Sequence, residues 1–229
     1  MQAEDISVII PVYNTQRYLA EALHSVFAQT LLPREVIVVD DGSTDATPDV
    51  ARAFAGRIRY VRQENGGSGA ARNHGIALAA SPLLAFLDAD DRYLPRKLER
   101  QLALLRERPE LDLCICHAQD FWSPELVPPP GAVTTFAAAA RPGQASTWLA
   151  RRRAFEKAGL FRTSADITHA EGSEWFLRAR DCGVVTEELV ERLVERRLHD
   201  ANKTTRRADH LDAIAQLIKM RIDRRRSRP

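Results

Sequence analysis

Four short apolar runs, residues 6–10, 36–39, 58–61 and 82–87, recur through the first part of the chain, and a stretch of helical spacing follows each. Runs this short, most of them rich in Val and Ile, read as buried strands. From about Thr15 the first is followed by a face of Leu19, Leu23 and Val26. The second is followed by Thr47-Pro48, which reads as a cap and first-turn proline. The third leads through Asn65-Gly66-Gly67-Ser68-Gly69 into a helix over 70–79, and the fourth precedes a helix after Pro95 carrying Leu98, Leu102 and Leu105. Repeated strand-helix units predict an α/β chain with a doubly wound, mostly parallel sheet flanked by helices. In such sheets ligands bind beyond the carboxyl ends of the strands.

The later part is less regular. Residues 123–131 form a proline-rich connection, the best candidate for a boundary or mobile loop. Beyond it the pattern predicts a strand over 147–150, a short helix over 152–158 ending at Gly159, and a helix over 171–182 ending at Gly183. A strand over 193–198 precedes a last amphipathic helix with Leu211, Ile214, Ile218 and Ile222 on one side. With 229 residues, one compact domain built of two halves, 1–120 and 121–229, fits this organisation.

Charge and cysteine usage narrow the function. A net charge of +2, from 33 Lys+Arg against 31 Asp+Glu, argues against a nucleic-acid partner. Cys114, Cys116 and Cys182 make no disulfide framework and read as buried or semi-buried thiols of a reducing cytosol. Cys114-Ile115-Cys116-His117 has no second ligand pair to complete a zinc site. No early segment reads as a signal peptide and no apolar run reaches the ~18 residues of a spanning helix, so a cytoplasmic protein is expected. Lys219, Arg221, Arg224, Arg225, Arg226 and Arg228 crowd the end of the chain. They read as a solvated terminus, with peripheral attraction to an anionic membrane surface as the alternative.

The strand ends carry the chemistry. Pro11-Val12-Tyr13-Asn14 follows the first, Asp40-Asp41-Gly42-Ser43-Thr44-Asp45 the second, and Asp88, Asp90 and Asp91 the fourth. All three open on one edge of the sheet. Carboxylates one residue apart where a buried strand emerges suit a hard divalent cation that keeps room for phosphate oxygens. A nucleoside diphosphate with a metal would use an aromatic face, carboxylates and such a cation.

These pieces, with Gly69-Ala70-Ala71-Arg72-Asn73 between them, resemble the family 2 glycosyltransferases of the GT-A, Rossmann-like fold. The four motifs fall in the right order and spacing over roughly the first 95 residues. The resemblance implies a transferase of hexosyl type moving sugar from a nucleoside diphosphate sugar, with UDP the favoured nucleotide and inversion the favoured outcome. The acceptor is open: glycan, lipid, peptide or small molecule. By the same resemblance residues 1–120 bind the donor and 121–229 the acceptor. Pro11 is among the donor-binding residues, Tyr13 lies against the nucleobase, Asp40 accepts from base or ribose, Arg72 sits near the diphosphate, and Asp88 near ribose and metal. Asp90 binds Mn or Mg, and His199, at the end of Arg196-Arg197-Leu198-His199, is a third ligand.

On the acceptor side, Glu171-Gly172-Ser173-Glu174-Trp175-Phe176-Leu177-Arg178 is similar to the family's acceptor-site helix. Aligned on Arg178, the position of the catalytic Asp is held by Gly172. The available bases are Glu171 and Glu174, three apart on one helix surface, with Glu171 favoured because it starts the helix. Trp148 and Trp175 are candidates to stack on a sugar, although Trp175 more readily packs the helix. Asp45 reads as a loop-to-helix cap in preference to a ligand contact. The alternative to an enzyme is a catalytically impaired nucleotide-sugar binding module.

Overall fold

The computed structural model describes residues 5–124, 126, 138–164, 167 and 170–199. Strands β1 (Ile6–Val12), β2 (Glu35–Asp40), β3 (Arg59–Arg62) and β4 (Leu83–Phe86) alternate with helices α1 (Leu19–Phe27), α2 (Thr47–Arg52) and α3 (Gly67–Leu78). The four strands pair in parallel in the order β3-β2-β1-β4. Connections from β1 run to one side through β2 and β3 and then return to β4 on the other. The ends of β1 and β4 therefore flank a crevice, the expected place for a ligand.

The remaining elements are β5 (Arg92–Tyr93), α4 (Lys97–Glu107), β6 (Leu113–Trp122), β7 (Ala139–Ala140), β8 (Trp148–Arg151), α5 (Arg152–Ala158), α6 (Glu171–Asp181) and β9 (Thr186–Leu198). Strand β8 runs antiparallel between β4 and β6, while β9 lies parallel to β6 and antiparallel to β5. The sheet is thus parallel across its first four strands and mixed beyond them.

Side chains that alternate along β1 feed a hydrophobic layer on each face of the sheet. Val8, Ile10 and Val12 pack with Leu19, Leu23 and Val26 of α1 and Leu98 and Leu102 of α4. Ile9 joins Ile37, Ile76, Phe86, Trp148, Phe155 and Trp175 on the other face. Burying each such side chain contributes roughly 1.5–3 kcal/mol. Helix α3 lies close against β1 because Gly75 faces Ile9: a Cβ at Gly75 would come within 3.0 Å of the Ile9 side chain. That approach sets Arg72, one turn earlier, near the strand ends.

The helix expected from Thr15 begins at Leu19, because residues 16–18 form turns tied to Thr15. Strand β6 had no counterpart in the sequence reading. Cys114 and Cys116 are buried core residues of that strand, as expected of thiols without a zinc site, whereas Cys182, expected to be at least partly buried, is exposed. Strand β9 begins at Thr186, not near 193, because its polar first half pairs with β6. Most of the proline-rich stretch and the expected C-terminal helix, with its basic cluster, lie outside the described residues.

A lysine is buried between α4 and the sheet. Lys97 is fully buried, donating to Gln101 Oε1 at 2.8 Å and to the Trp148 carbonyl at 3.1 Å, with its ammonium 4.2 Å from the Tyr93 ring centre. Burial pushes its pKa down to about 8.

Candidate active site

A cleft of about 1110 Å³ opens over the carboxyl ends of β1, β2 and β4. Its first wall is the end of β1 and the loop after it, with Pro11, Tyr13 and Asn14 on the surface. Asn14 takes the left-handed conformation at φ 53°, which Asn tolerates better than most residues. The turn is laced to the loop after β2: Asn14 N donates to Ser43 Oγ at 3.0 Å, and Thr44 N donates to Asn14 Oδ1 at 2.8 Å. Tyr13 is left 44% exposed in the cleft, an available aromatic face.

Three aspartates at and after the end of β2 divide their work. Asp40 is fully buried beneath the cleft wall, accepting from Ser43 N at 2.7 Å and from the Tyr60 hydroxyl. The Tyr60 phenol is pushed up to about 12, first by burial and then by that carboxylate. Asp41 lines the cleft and accepts from Gly66 N, Gly67 N and Gln63 Nε2, each at 2.8 Å. It therefore satisfies the first amides of α3, a role the sequence reading missed although the acid stood beside Asp40. Asp45 accepts from Thr47 N at 2.9 Å and Gln16 N at 3.2 Å while also lining the cleft. Burial pushes its carboxyl up, but the hydrogen bonds from Thr47 and Gln16 outweigh that and hold it below its ordinary value.

The other end of the cleft is built on the turn after β4. Arg72, 7% exposed, reaches Asp88 Oδ1 at 2.6 Å. Burial would lower the guanidinium's pKa, yet the carboxylates of Asp88, Glu171 and Asp90 raise it instead. Asp88 N donates to Ser146 Oγ, which in turn donates to Asp91 Oδ2, both at 3.0 Å. Asp91 also accepts from Gln144 Nε2 at 2.9 Å and from Arg197 N at 3.2 Å. Buried beside Asp90 and Asp88, it is held well above the usual carboxylate range. It is a tie between the acidic turn, the 141–146 segment and β9.

Asp90 and His199 meet at 3.0 Å between Oδ2 and Nε2, with the imidazole packed on Tyr18 at 4.7 Å. A carboxylate and an imidazole side by side make a donor pair acceptable to Mn or Mg. Asp88 turns toward Arg72, so Asp88, Asp90 and His199 do not converge. Among the described residues no three His, Cys, Asp or Glu side chains form a ready metal cage. Further ligands would have to come from a bound diphosphate and water.

The two candidate bases part company. Glu171 opens α6 on the cleft wall and accepts from Ser68 Oγ at 3.1 Å. Glu174 lies off that wall, paired with Arg178 at 2.9 Å and Arg162 at 3.4 Å. Between them Gly172 faces the Gly143 carbonyl, and a Cβ at 172 would fall far inside 3.0 Å of that oxygen. Trp148 does not reach the cleft: it is fully buried, its ring stacked 6.0 Å from Phe161 and tilted against Trp175 at 5.0 Å, because β8 points it into the aromatic core. Trp175 packs the same cluster.

The model of the family described as glycosyl transferase family 2 matches residues 7–180, about three quarters of the chain. The chain belongs to this family. It is 32% identical to an uncharacterized glycosyltransferase of Rickettsia typhi over 93% of its own length and 70% of that relative's. It is 43% identical to the glycosyltransferase GlyA of Streptococcus pneumoniae over 38% of this chain and 13% of that protein. Among solved structures, S. aureus TarS 1-349 in complex with UDP matches with a TM-score of 0.70 at 22% identity, covering 93% of this chain and 64% of that one. The same protein in complex with UDP-GlcNAc gives 0.72 at 21% identity. At that identity the likeness concerns the fold, which is the GT-A arrangement of a mixed, curled sheet with flanking helices. Among the described residues no helix is long and apolar enough to cross a membrane.

Proposed function

We propose that this glycosyltransferase transfers a sugar from a nucleoside diphosphate sugar, UDP being the favoured nucleotide, to an acceptor nucleophile with inversion and with the help of Mn or Mg. UDP is favoured because TarS, which shares the fold, has been crystallised with UDP and UDP-GlcNAc. In this reading residues 1–120 bind the donor, and the part from 121 onward supplies the acceptor side.

Tyr13 covers the nucleobase over Pro11, while Asp40 beneath them serves base or ribose through the loop it braces. Asp88 takes the ribose side, and Arg72 offers positive charge to the diphosphate. Asp90 and His199 hold the cation, whose chemistry is to neutralise charge on the departing diphosphate. Glu171 takes the proton of the acceptor hydroxyl as that oxygen bonds to the anomeric carbon. The carbon's bond to the diphosphate oxygen breaks, and the nucleoside diphosphate leaves with the electron pair.

The observation that carries this reading is that Glu171 shares one cleft with the Arg72–Asp88 pair, whereas Glu174 is tied up in ion pairs outside it. UDP release from UDP-GlcNAc, with Mn and a panel of hydroxyl acceptors or water alone, tests it. Release by the wild-type protein that falls at least a hundredfold in Glu171→Gln, with donor binding retained, supports the enzyme. The second reading, a binding module without turnover, is favoured by Gly172 standing at the expected position of the base. It predicts UDP-GlcNAc binding with no UDP release.

A further inference from the structure

We infer that Ser68 is a positioning residue for Glu171, holding one carboxylate oxygen so that the other faces the acceptor. This rests on Glu171 being the base. Ser68 lies in the first turn of α3, whose leading amides, Gly66 N and Gly67 N, are bound by Asp41. Ser68 and Arg72 are four residues apart and so share one face of the helix. From that face Ser68 Oγ donates to Glu171 Oε1 at 3.1 Å, and Arg72 reaches Asp88 at 2.6 Å.

The helix touches the stem of Glu171 as well. A Cβ at Gly69 would lie 3.5 Å from Glu171 Cγ and 2.9 Å from the Arg162 carbonyl, so this turn abuts the carboxylate's own side chain. Glu171 is 9% exposed, and among the described residues its Oε2 takes no hydrogen bond. The hydroxyl therefore fixes the rotation of the carboxyl group and leaves Oε2 to receive the acceptor's proton. Ser68 itself neither gains nor loses a proton. One helix face thus keeps the group that activates the acceptor in register with the group that meets the leaving diphosphate, a coupling across 103 residues of sequence.

A positioned hydrogen bond of this kind is worth roughly tenfold in rate. The test compares wild type, Ser68→Ala, Ser68→Thr and Glu171→Gln in the full chain, with UDP-GlcNAc and Mn, reading UDP release and donor binding by calorimetry. The expected result is that Ser68→Ala lowers kcat roughly tenfold with KM for UDP-GlcNAc within about twofold, and that Ser68→Thr, which keeps the hydroxyl, recovers most of the loss. A rise in KM at constant kcat would make Ser68 a donor contact and overturn the inference, as would wild-type kinetics in Ser68→Ala or failure of Ser68→Thr to recover. Wild-type turnover in Glu171→Gln, or binding without UDP release by the wild-type protein, would instead remove the base on which the inference stands.

Discussion

The carbonyl oxygen of Gly143 occupies the space where a side chain on Gly172 would begin. The departure at 172 is therefore matched by the wall opposite: the 141–146 segment closes onto the start of α6, and of the two α6 carboxylates Glu171 is the one that lines the cleft.

Gly172→Asp should accordingly fail to supply a base. Either the 141–146 segment or α6 must shift, at a cost of roughly 1–3 kcal/mol. Thermal denaturation should show a lower Tm, and UDP release should stay at or below the wild-type rate. A gain in turnover at unchanged Tm would contradict the packing described.

Glu171→Gln and Glu174→Gln should separate rate from stability. The first should lower kcat by roughly 10²–10⁴ with little change in Tm. The second breaks the buried pair with Arg178 and should destabilise by roughly 3 kcal/mol while the surviving folded protein turns over near the wild-type rate. Urea denaturation beside kinetics checks both.

The three thiols should react unequally with maleimide in the native protein. Burial pushes Cys114 up to about 12 and Cys116 up to about 11, whereas Cys182 is exposed. Mass spectrometry at neutral pH should find one label, on Cys182, and three only after unfolding.

Lys97 gives a pH dependence of defined sign. Its pKa falls from an ordinary 10.5 to about 8 on folding, so between those values the unfolded chain holds the extra proton and stability rises with pH. Relative to Lys97→Met, the wild-type protein should gain up to roughly 3 kcal/mol between pH 8 and pH 10.5. Comparing the two proteins removes the contributions of titrating groups that do not interact with Lys97. A constant difference would mean that Lys97 is solvated.

What could be read in the sequence follows from local periodicity. Four parallel strands and the acidic turn were legible because Val, Ile and Leu recur in short runs with charge placed at their ends. Strand β6 escaped because Cys114-Ile115-Cys116-His117 continues into Gln119 and Asp120, polar residues that pair with the long β9 and lie partly buried. Of the donor-side residues, Pro11, Tyr13, Arg72 and Asp88 line one cleft for the same local reason, while Asp40 is buried beneath it. The hydrogen bonds of Asp41 to the start of α3 and of Ser68 to Glu171 did not show, since each depends on a partner brought in by tertiary packing, whereas Glu171 was already favoured over Glu174 as the residue that starts the helix. Trp148 read as a sugar platform because its sequence neighbours give no hint that β8 aims it inward.

The most direct measurement is the affinity for UDP-GlcNAc by titration calorimetry, in Mn and in EDTA, for wild type and Asp90→Ala. Binding by the wild-type protein that weakens at least tenfold in EDTA, and to a similar extent in Asp90→Ala with Mn present, is the predicted result. Equal affinity under all these conditions, or no binding by the wild-type protein, would contradict a donor site built on the acidic turn.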